Sequence, residues 1–256
     1  MRILAIGNSF SDDSFAYLYE IIKSSGYSED LYIANLFYGG CALAQHCDFF
    51  SQKSAVYEYR VNAGDGWKTK VESTYKDALL DGEWDIISFQ QASGFSGKVE
   101  SYAFLEQLMN KVKKEVAGNP TFVWNMTWAY SSSSDHPHFE WYNRSQENMY
   151  NAIINAVVEK IVSNNEIGKI CPCGIAVQLA RNNNIVKFGD ELTRDGFHLD
   201  FVMGRFIAGL TVAKTLLEID LDKVTFRTDG VSEEDFEIAK EVVNLAIQTK
   251  TELFKK

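Results

Sequence analysis

Arg2-Ile3-Leu4-Ala5-Ile6-Gly7-Asn8-Ser9-Phe10-Ser11-Asp12-Asp13 is the stretch that decides the fold. Residues 2–6 form a short apolar run stopped by Gly-Asn-Ser, the pattern of a buried strand entering a turn. Ser11, Asp12 and Asp13 offer capping side chains and N-terminal negative charge, and Phe15, Leu18, Tyr19 and Ile22 then recur at helical spacing until Gly26. Strand, turn and helix follow without a gap. Ser9 is thereby expected at the carboxyl end of one element and the amino end of the next.

Downstream, residues 31–37 read as a second strand stopped by Gly39-Gly40, where the backbone must turn sharply or approach something closely. Residues 85–90 and 121–127 read as a third and a fourth strand, and 169–177 as containing a fifth. Helical periodicity marks 102–116, 140–162, 201–218 and 232–254. Strands separated by helices call for parallel pairing through right-handed crossovers, so the expected architecture is α/β, a three-layer α/β/α sandwich on a five-stranded parallel sheet. Residues 41–82 break the alternation: 57–61 and 67–71 flank Asn62-Ala63-Gly64-Asp65-Gly66 as a hairpin would. We therefore expect one domain over 1–256 with an insertion at about 41–82. In such sheets sites form beyond the carboxyl ends of the strands, which directs attention to the loops at 7–11, 39–43, 90–94 and 127–134. The Ser131–Ser134 run reads as a flexible loop.

Composition narrows the function. The 256 residues carry a formal charge of −10, and no Lys/Arg block is dense enough to neutralise a run of phosphates, which argues against a nucleic-acid partner. No apolar run reaches the roughly 18 residues of a membrane span. The opening residues lack a signal-peptide core, so the chain as given is expected in the cytoplasm, or outside it if an upstream signal has been removed. Cys41, Cys47, Cys171 and Cys173 form two close pairs without metal-knuckle or redox spacing and read as unreactive thiols. No metal or organic cofactor is expected.

At a helix start, unpaired N–H groups and the helix dipole favour negative charge, so a nucleophilic Ser9 there would have part of an oxyanion hole ready-made; the competing reading is a plain helix cap. Late in the chain stands Arg194-Asp195-Gly196-Phe197-His198-Leu199. Asp and His three apart can aim both side chains to one side of a turn, the carboxylate orienting an imidazole general base. His46, His136 and His138 lack comparable context. The chain has no Gly-x-Ser-x-Gly elbow, phosphate loop or Gly-x-Gly-x-x-Gly turn.

These motifs resemble the SGNH (GDSL-like) hydrolases. Gly7-Asn8-Ser9-Phe10-Ser11 is similar to the family's first block, Gly-Asp-Ser-x-Ser, with Asn8 in place of Asp, and Asp195-Gly196-Phe197-His198 to its last block, Asp-x-x-His. The resemblance implies a flavodoxin-like sheet, a triad of Ser9, His198 and Asp195, and an oxyanion hole of the Ser9 and Gly40 N–H groups. The third block departs from the family: Phe89-Gln90-Gln91-Ala92-Ser93 stands where Gly-x-Asn-Asp is usual, so either Gln90 or Gln91 would supply the amide donor. The wording as a whole is similar to a poorly characterised bacterial branch of these hydrolases.

The substrate expected on this reading is a short-chain ester, acetyl first, of a carbohydrate or other small polar alcohol. Trp128, Tyr130 and Trp141 are candidates for an aromatic platform under a sugar ring, Gln178 and Arg181 for polar pocket residues, and Asn8 for a substrate contact beside the nucleophile. A lipase or thioesterase with an apolar groove built by the 41–82 segment is the rival enzyme reading. A non-catalytic carbohydrate-binding relative is the rival outside enzymes.

Overall fold

The computed structural model describes residues 1–182 and 188–255. Its strands are β1 (Arg2–Gly7), β2 (Tyr32–Phe37), β3 (Tyr57–Asn62), β4 (Lys68–Ser73), β5 (Ile86–Phe89), β6 (Thr121–Asn125) and β7 (Ile167–Cys171). They form one sheet in the order β4-β3-β2-β1-β5-β6-β7. β1 pairs in parallel with β2 on one side and β5 on the other, and β6 and β7 continue the parallel series. β1 and β5 are buried almost throughout, as strands covered on both faces must be.

The expectation of five strands is corrected to seven. The hairpin legible around 62–66 extends the sheet: β3 pairs antiparallel with β2, and β4 with β3. β2 would otherwise leave a row of unpaired backbone groups at the sheet edge, and the hairpin moves that edge outward to β4, whose exposed, lysine-bearing face discourages further pairing.

Two groups of helices accompany the sheet. α1 (Ser9–Phe15), α2 (Leu18–Ser24), α7 (Cys173–Asn182), α8 (Met203–Leu217) and α9 (Glu233–Leu253) pack on one another. α3 (Leu43–Gln52), α4 (Tyr75–Leu79) and α5 (Leu105–Glu115) form the second group, and α6 (Gln146–Val157) precedes β7. α8 is the central member of the first group; twelve of its fifteen residues are buried, which suits its mixture of small and large apolar side chains. No helix among the described residues is long and apolar enough to cross a membrane.

The order β2-β1-β5 fixes where a ligand can be received. The chain leaves β1 for β2 on one side and later returns to β5 on the other, so the crossovers diverge at the carboxyl end of β1 and open a crevice there. Ser9 stands at that point.

One buried titratable group lies away from the crevice. His46, on α3, is fully buried, with Nδ1 2.9 Å from the Tyr57 hydroxyl and its ring parallel to Tyr57. Burial lowers its pKa from 6.5 to about 3. Below pH 6.5 the unfolded chain therefore binds a proton that the folded chain refuses, so this contribution to stability is present above pH 6.5 and is lost as pH falls toward 3. The loss is about 1.4 kcal/mol per pH unit. His46→Gln, which keeps a partner for Tyr57, should reduce the difference in urea-unfolding free energy between pH 7 and pH 5 by about 2 kcal/mol relative to wild type.

Candidate active site

Ser9 is the first residue of α1, and the residue before it supplies the cap: the Asn8 side chain accepts the Phe10 N–H at 3.0 Å. The acidic residues expected to cap the helix do something else. Asp13 turns inward, fully buried, and meets the far end of the chain. Its carboxylate accepts from Arg194 Nη1 at 2.9 Å, Arg205 Nε at 2.8 Å and the Leu199 N–H at 2.8 Å. Burial raises the Asp13 pKa, and the Arg205 and Arg194 guanidinium groups oppose that rise.

This clamp holds the segment that carries the histidine. Within it, Asp195 Oδ1 accepts the N–H groups of Phe197 at 3.2 Å and His198 at 2.8 Å, while Oδ2 lies 2.6 Å from His198 Nδ1. Gly196 takes φ +86°, which favours glycine, and a Cβ there would lie 3.0 Å from the Ser134 Cα. One carboxylate thus shapes the turn with one oxygen and orients the imidazole with the other. That is the physical content of the three-residue spacing.

The other imidazole nitrogen, Nε2, lies 2.7 Å from Ser9 Oγ. A carboxylate can only accept, so Nδ1 carries the hydrogen facing Asp195, and the Nε2 lone pair faces the Ser9 hydroxyl. Burial tends to raise the Asp195 pKa, but hydrogen bonds from the His198 ring and N–H, the charge of His198 and the Phe197 N–H bring it below the ordinary value. The carboxylate is therefore ionised well into acid. Ser9 is half-buried, open enough to meet a ligand. Chemically, this arrangement can deprotonate a serine hydroxyl and stabilise the imidazolium that results.

Beneath Ser9 a buried amide network joins three loops. Gln90 Nε2 donates to Asn8 Oδ1 at 2.7 Å, Asn8 Nδ2 donates to the Cys41 carbonyl at 2.9 Å, and Asn125 Nδ2 donates to Gln90 Oε1 at 3.2 Å. Gln91 points elsewhere: its Oε1 accepts from the Leu43 and Ala92 N–H groups, and its Nε2 donates to the Ser101 carbonyl and hydroxyl. Both Gln91 amide hydrogens are engaged, whereas Gln90 has one left over. Gly7 accommodates this network, since a Cβ there would meet Ser11 Oγ at 2.5 Å and the Gln90 carboxamide at 3.2 Å. Gly40 is exposed, in the left-handed region at φ +67°, one residue before Cys41.

Several residues expected to contact substrate are held inside the protein. Trp128 and Tyr130 are both fully buried, so neither can offer a ring face to a sugar. Trp128 stacks on Phe10 at 4.4 Å and donates to the Phe197 carbonyl at 2.8 Å, which supports the histidine turn from below. Arg181, on α7, is also buried and donates to the carbonyls of Glu191 and Ala129. Gln178 donates to Gln146 Oε1 at 3.1 Å, and Asn8 uses its side chain as cap and network member. Trp141 is the exception, 43% exposed. The serine run is tied down as well: Ser131 is buried and donates to Asp190, and the Ser132 N–H and hydroxyl donate to Glu191.

Sequence reasoning read Asp13 only as a cap and did not single out Arg194 or Arg205 as parts of this site. Their only sequence signal was an acidic pair near the first helix and basic residues beside the last motif, with nothing to say that they meet.

Comparisons with known proteins bear on the family and the fold. A family profile described as "Domain of unknown function (DUF4886)" matches residues 2–246. A DUF4886 family protein of known structure from Bacteroides uniformis ATCC 8492 is 34% identical, with a TM-score of 0.89 over 97% of this chain and 95% of that one. A protein from Slackia heliotrinireducens assigned to the SGNH hydrolases is 18% identical, with a TM-score of 0.50 over 84% of this chain and 98% of that one. An acetyl xylan esterase, AlAXEase, is 15% identical, with a TM-score of 0.52 over 83% and 99%. These last two share the fold. No curated protein matches the chain.

Removing the Asp13 carboxylate should be costly, because the Leu199 N–H would lose its acceptor and two guanidinium groups would lose their buried counter-charge, keeping only the Leu199 carbonyl and Asp12. Asp13→Ala should lower the unfolding free energy by about 3–5 kcal/mol, as measured by urea denaturation. An effect below about 1 kcal/mol would show that the clamp is not needed.

Proposed function

This chain belongs to the DUF4886 family, and we propose that it is a serine esterase of the SGNH type, cleaving short-chain esters through an acyl-enzyme. One observation carries the reading: Ser9 Oγ, His198 Nε2, His198 Nδ1 and Asp195 Oδ2 form a continuous chain of short contacts, 2.7 and 2.6 Å long, at the carboxyl end of β1. A serine serving only as a helix cap has no reason to meet an imidazole that is itself oriented by a carboxylate. The same chain favours an enzyme over a binding protein that has merely kept the fold.

In the reaction, Ser9 Oγ attacks the ester carbonyl carbon while His198 Nε2 takes the hydroxyl proton. The tetrahedral oxyanion collapses, the ester C–O bond breaks, and the proton passes from His198 to the departing alkoxide. Water then attacks the acyl-enzyme, gives a proton to His198 and releases the acid and free Ser9. The N–H groups of Ser9 and Gly40 and the uncommitted amide hydrogen of Gln90 are the oxyanion donors in this scheme. Gln91 is assigned to holding the loop after β5. Acetyl esters of a carbohydrate or other small polar alcohol are the first substrates to test.

With p-nitrophenyl acetate, Ser9→Ala and His198→Ala should reduce hydrolysis to background. Gln90→Leu should lower kcat by about a hundredfold, and Asp195→Asn by about 10³–10⁴-fold through the wrong imidazole tautomer. Equal rates for wild type and Ser9→Ala would remove the nucleophile from the scheme. A fluorophosphonate probe gives an independent reading by mass spectrometry, with the adduct expected on Ser9 alone.

A further inference from the structure

The loops flanking Ser9 continue into a cavity of about 550 Å³ that does not include Ser9, Asp195 or His198. Ala42 and Ala44 follow the Gly39-Gly40 turn after β2, Gln91 and Phe95 follow β5, and Phe104 and Trp141 close the walls. Because the sheet runs β2-β1-β5, the two loops that build this cavity are the ones on either side of Ser9. The cavity thus lies beside the crevice.

Most polar groups of its lining are already engaged. Both ends of the Gln91 carboxamide are engaged by the backbone and Ser101. The Ser101 hydroxyl is directed at the Phe95 and Lys98 carbonyls, and Gln45 Oε1 accepts the Ala42 N–H. Lys98 donates to the Trp141 carbonyl at 3.3 Å and lies over the Tyr142 ring. What remains is mostly apolar surface, two methyl groups and three aromatic rings, with the exposed side chains of Gln45 and Glu100 as its polar members. Phe104 and Trp141 are 40% and 43% exposed, so both rings offer apolar surface to a ligand.

The aromatic wall is fixed before any ligand arrives. Trp141 has one face stacked on His138 at 3.9 Å, Lys98 Nζ lies 5.7 Å from the Trp141 ring centroid, and Phe95 packs against both rings at 5.3 and 5.5 Å. Gly94 lets this happen, since a Cβ there would fall 2.1 Å from His138 Nδ1. A wall ordered in advance loses little freedom when it binds.

We infer that this cavity takes an apolar group of the ester, a hydrocarbon chain or ring of roughly six to ten carbons in a pocket of the size that holds whole small ligands. An acetyl methyl group would leave it almost empty, so the inference replaces either the short acyl chain or the polar alcohol of the substrate proposed above with an apolar group. The inference rests on the esterase reading for the chemistry, but the cavity's preference is independent of which residue is the nucleophile. The group can belong to the acyl or the alcohol side, and the two sources are separable.

Two substrate series test it: p-nitrophenyl acetate, butanoate and octanoate for the acyl side, and ethyl, octyl and 2-phenylethyl acetate for the alcohol side. kcat/KM should rise at least tenfold with apolar size in one series, against a limit of roughly fourfold per methylene fully buried. Trp141→Ala and Phe104→Ala should each erase most of that rise. A flat profile in both series, or a rise that both variants retain, overturns the assignment. Calorimetric titration of the Ser9→Ala protein with the ketones 2-decanone and butanone separates the two levels of the argument. Tighter binding of decanone that Phe104→Ala abolishes supports the cavity even if no ester is cleaved. Equal binding of the two ketones overturns it even if Ser9 is the nucleophile.

Discussion

The site depends on a single buried carboxylate. Asp13 joins the helix that begins with Ser9 to the segment 194–205, and its partners lie 181 to 192 residues away in the chain. With the smaller contacts of Arg205 to Asp12 and of the Tyr17 hydroxyl to the Phe201 carbonyl, it places the histidine turn over the first helix, because the turn's own hydrogen bonds shape it but do not place it. A buried ion pair is weak evidence for stability, since desolvation offsets much of the attraction. Its value here is positional: two forked guanidinium groups and a backbone N–H define the direction from which the loop must approach. The Gly196 carbonyl accepting from the Ser131 N–H and the Phe197 carbonyl accepting from Trp128 then fix the loop from the opposite side.

The parts of this arrangement legible in the sequence are those whose cause is local. An apolar run ending in Gly-Asn-Ser reads as strand and turn because each residue acts on its neighbours, and Asp195 and His198 are recognisable because one carboxylate can reach both the N–H groups and the imidazole of its own turn. The hairpin was legible as a hairpin but not as sheet, because its pairing partner β2 is chosen by topology rather than by the hairpin's own residues. Burial behaved in the same way. Trp128, Tyr130 and Trp141 look alike in a sequence, yet the first two are sealed in the core and the third faces solvent, a difference set by distant packing partners. Gln90 and Gln91 are chemically identical neighbours, and only their opposite directions at the end of β5 assign one to the network under Ser9 and the other to Ser101.

The cavity beside the crevice carries the same lesson into specificity. Its walls come from four separate stretches, 42–45, 91–95, 98–104 and Trp141, and no one of them has a pattern that announces a pocket. The segment 41–82 does contribute, through Ala42, Ala44 and Gln45, but its hairpin serves the sheet edge instead. What the chain presents near Ser9 is therefore polar on the histidine side and apolar on the side of β2 and β5.

Asn8 shows why the departure from an acidic residue at this position is coherent with the rest of the site. Its side chain accepts twice, from the Phe10 N–H and from Gln90, and donates once, to the Cys41 carbonyl. An aspartate could accept but could not donate, and would set a carboxylate oxygen 2.9 Å from a carbonyl oxygen. The repulsion would push Cys41 outward, and with it Gly40, whose N–H the oxyanion scheme needs. The longer arm of Gln90 is matched to this choice, since it reaches from the end of β5 to Asn8 while keeping Asn125 as its own donor. Asn8 and Gln90 form one unit, in which the Asn8 oxygen accepts from Gln90 while its nitrogen is given to the Cys41 carbonyl.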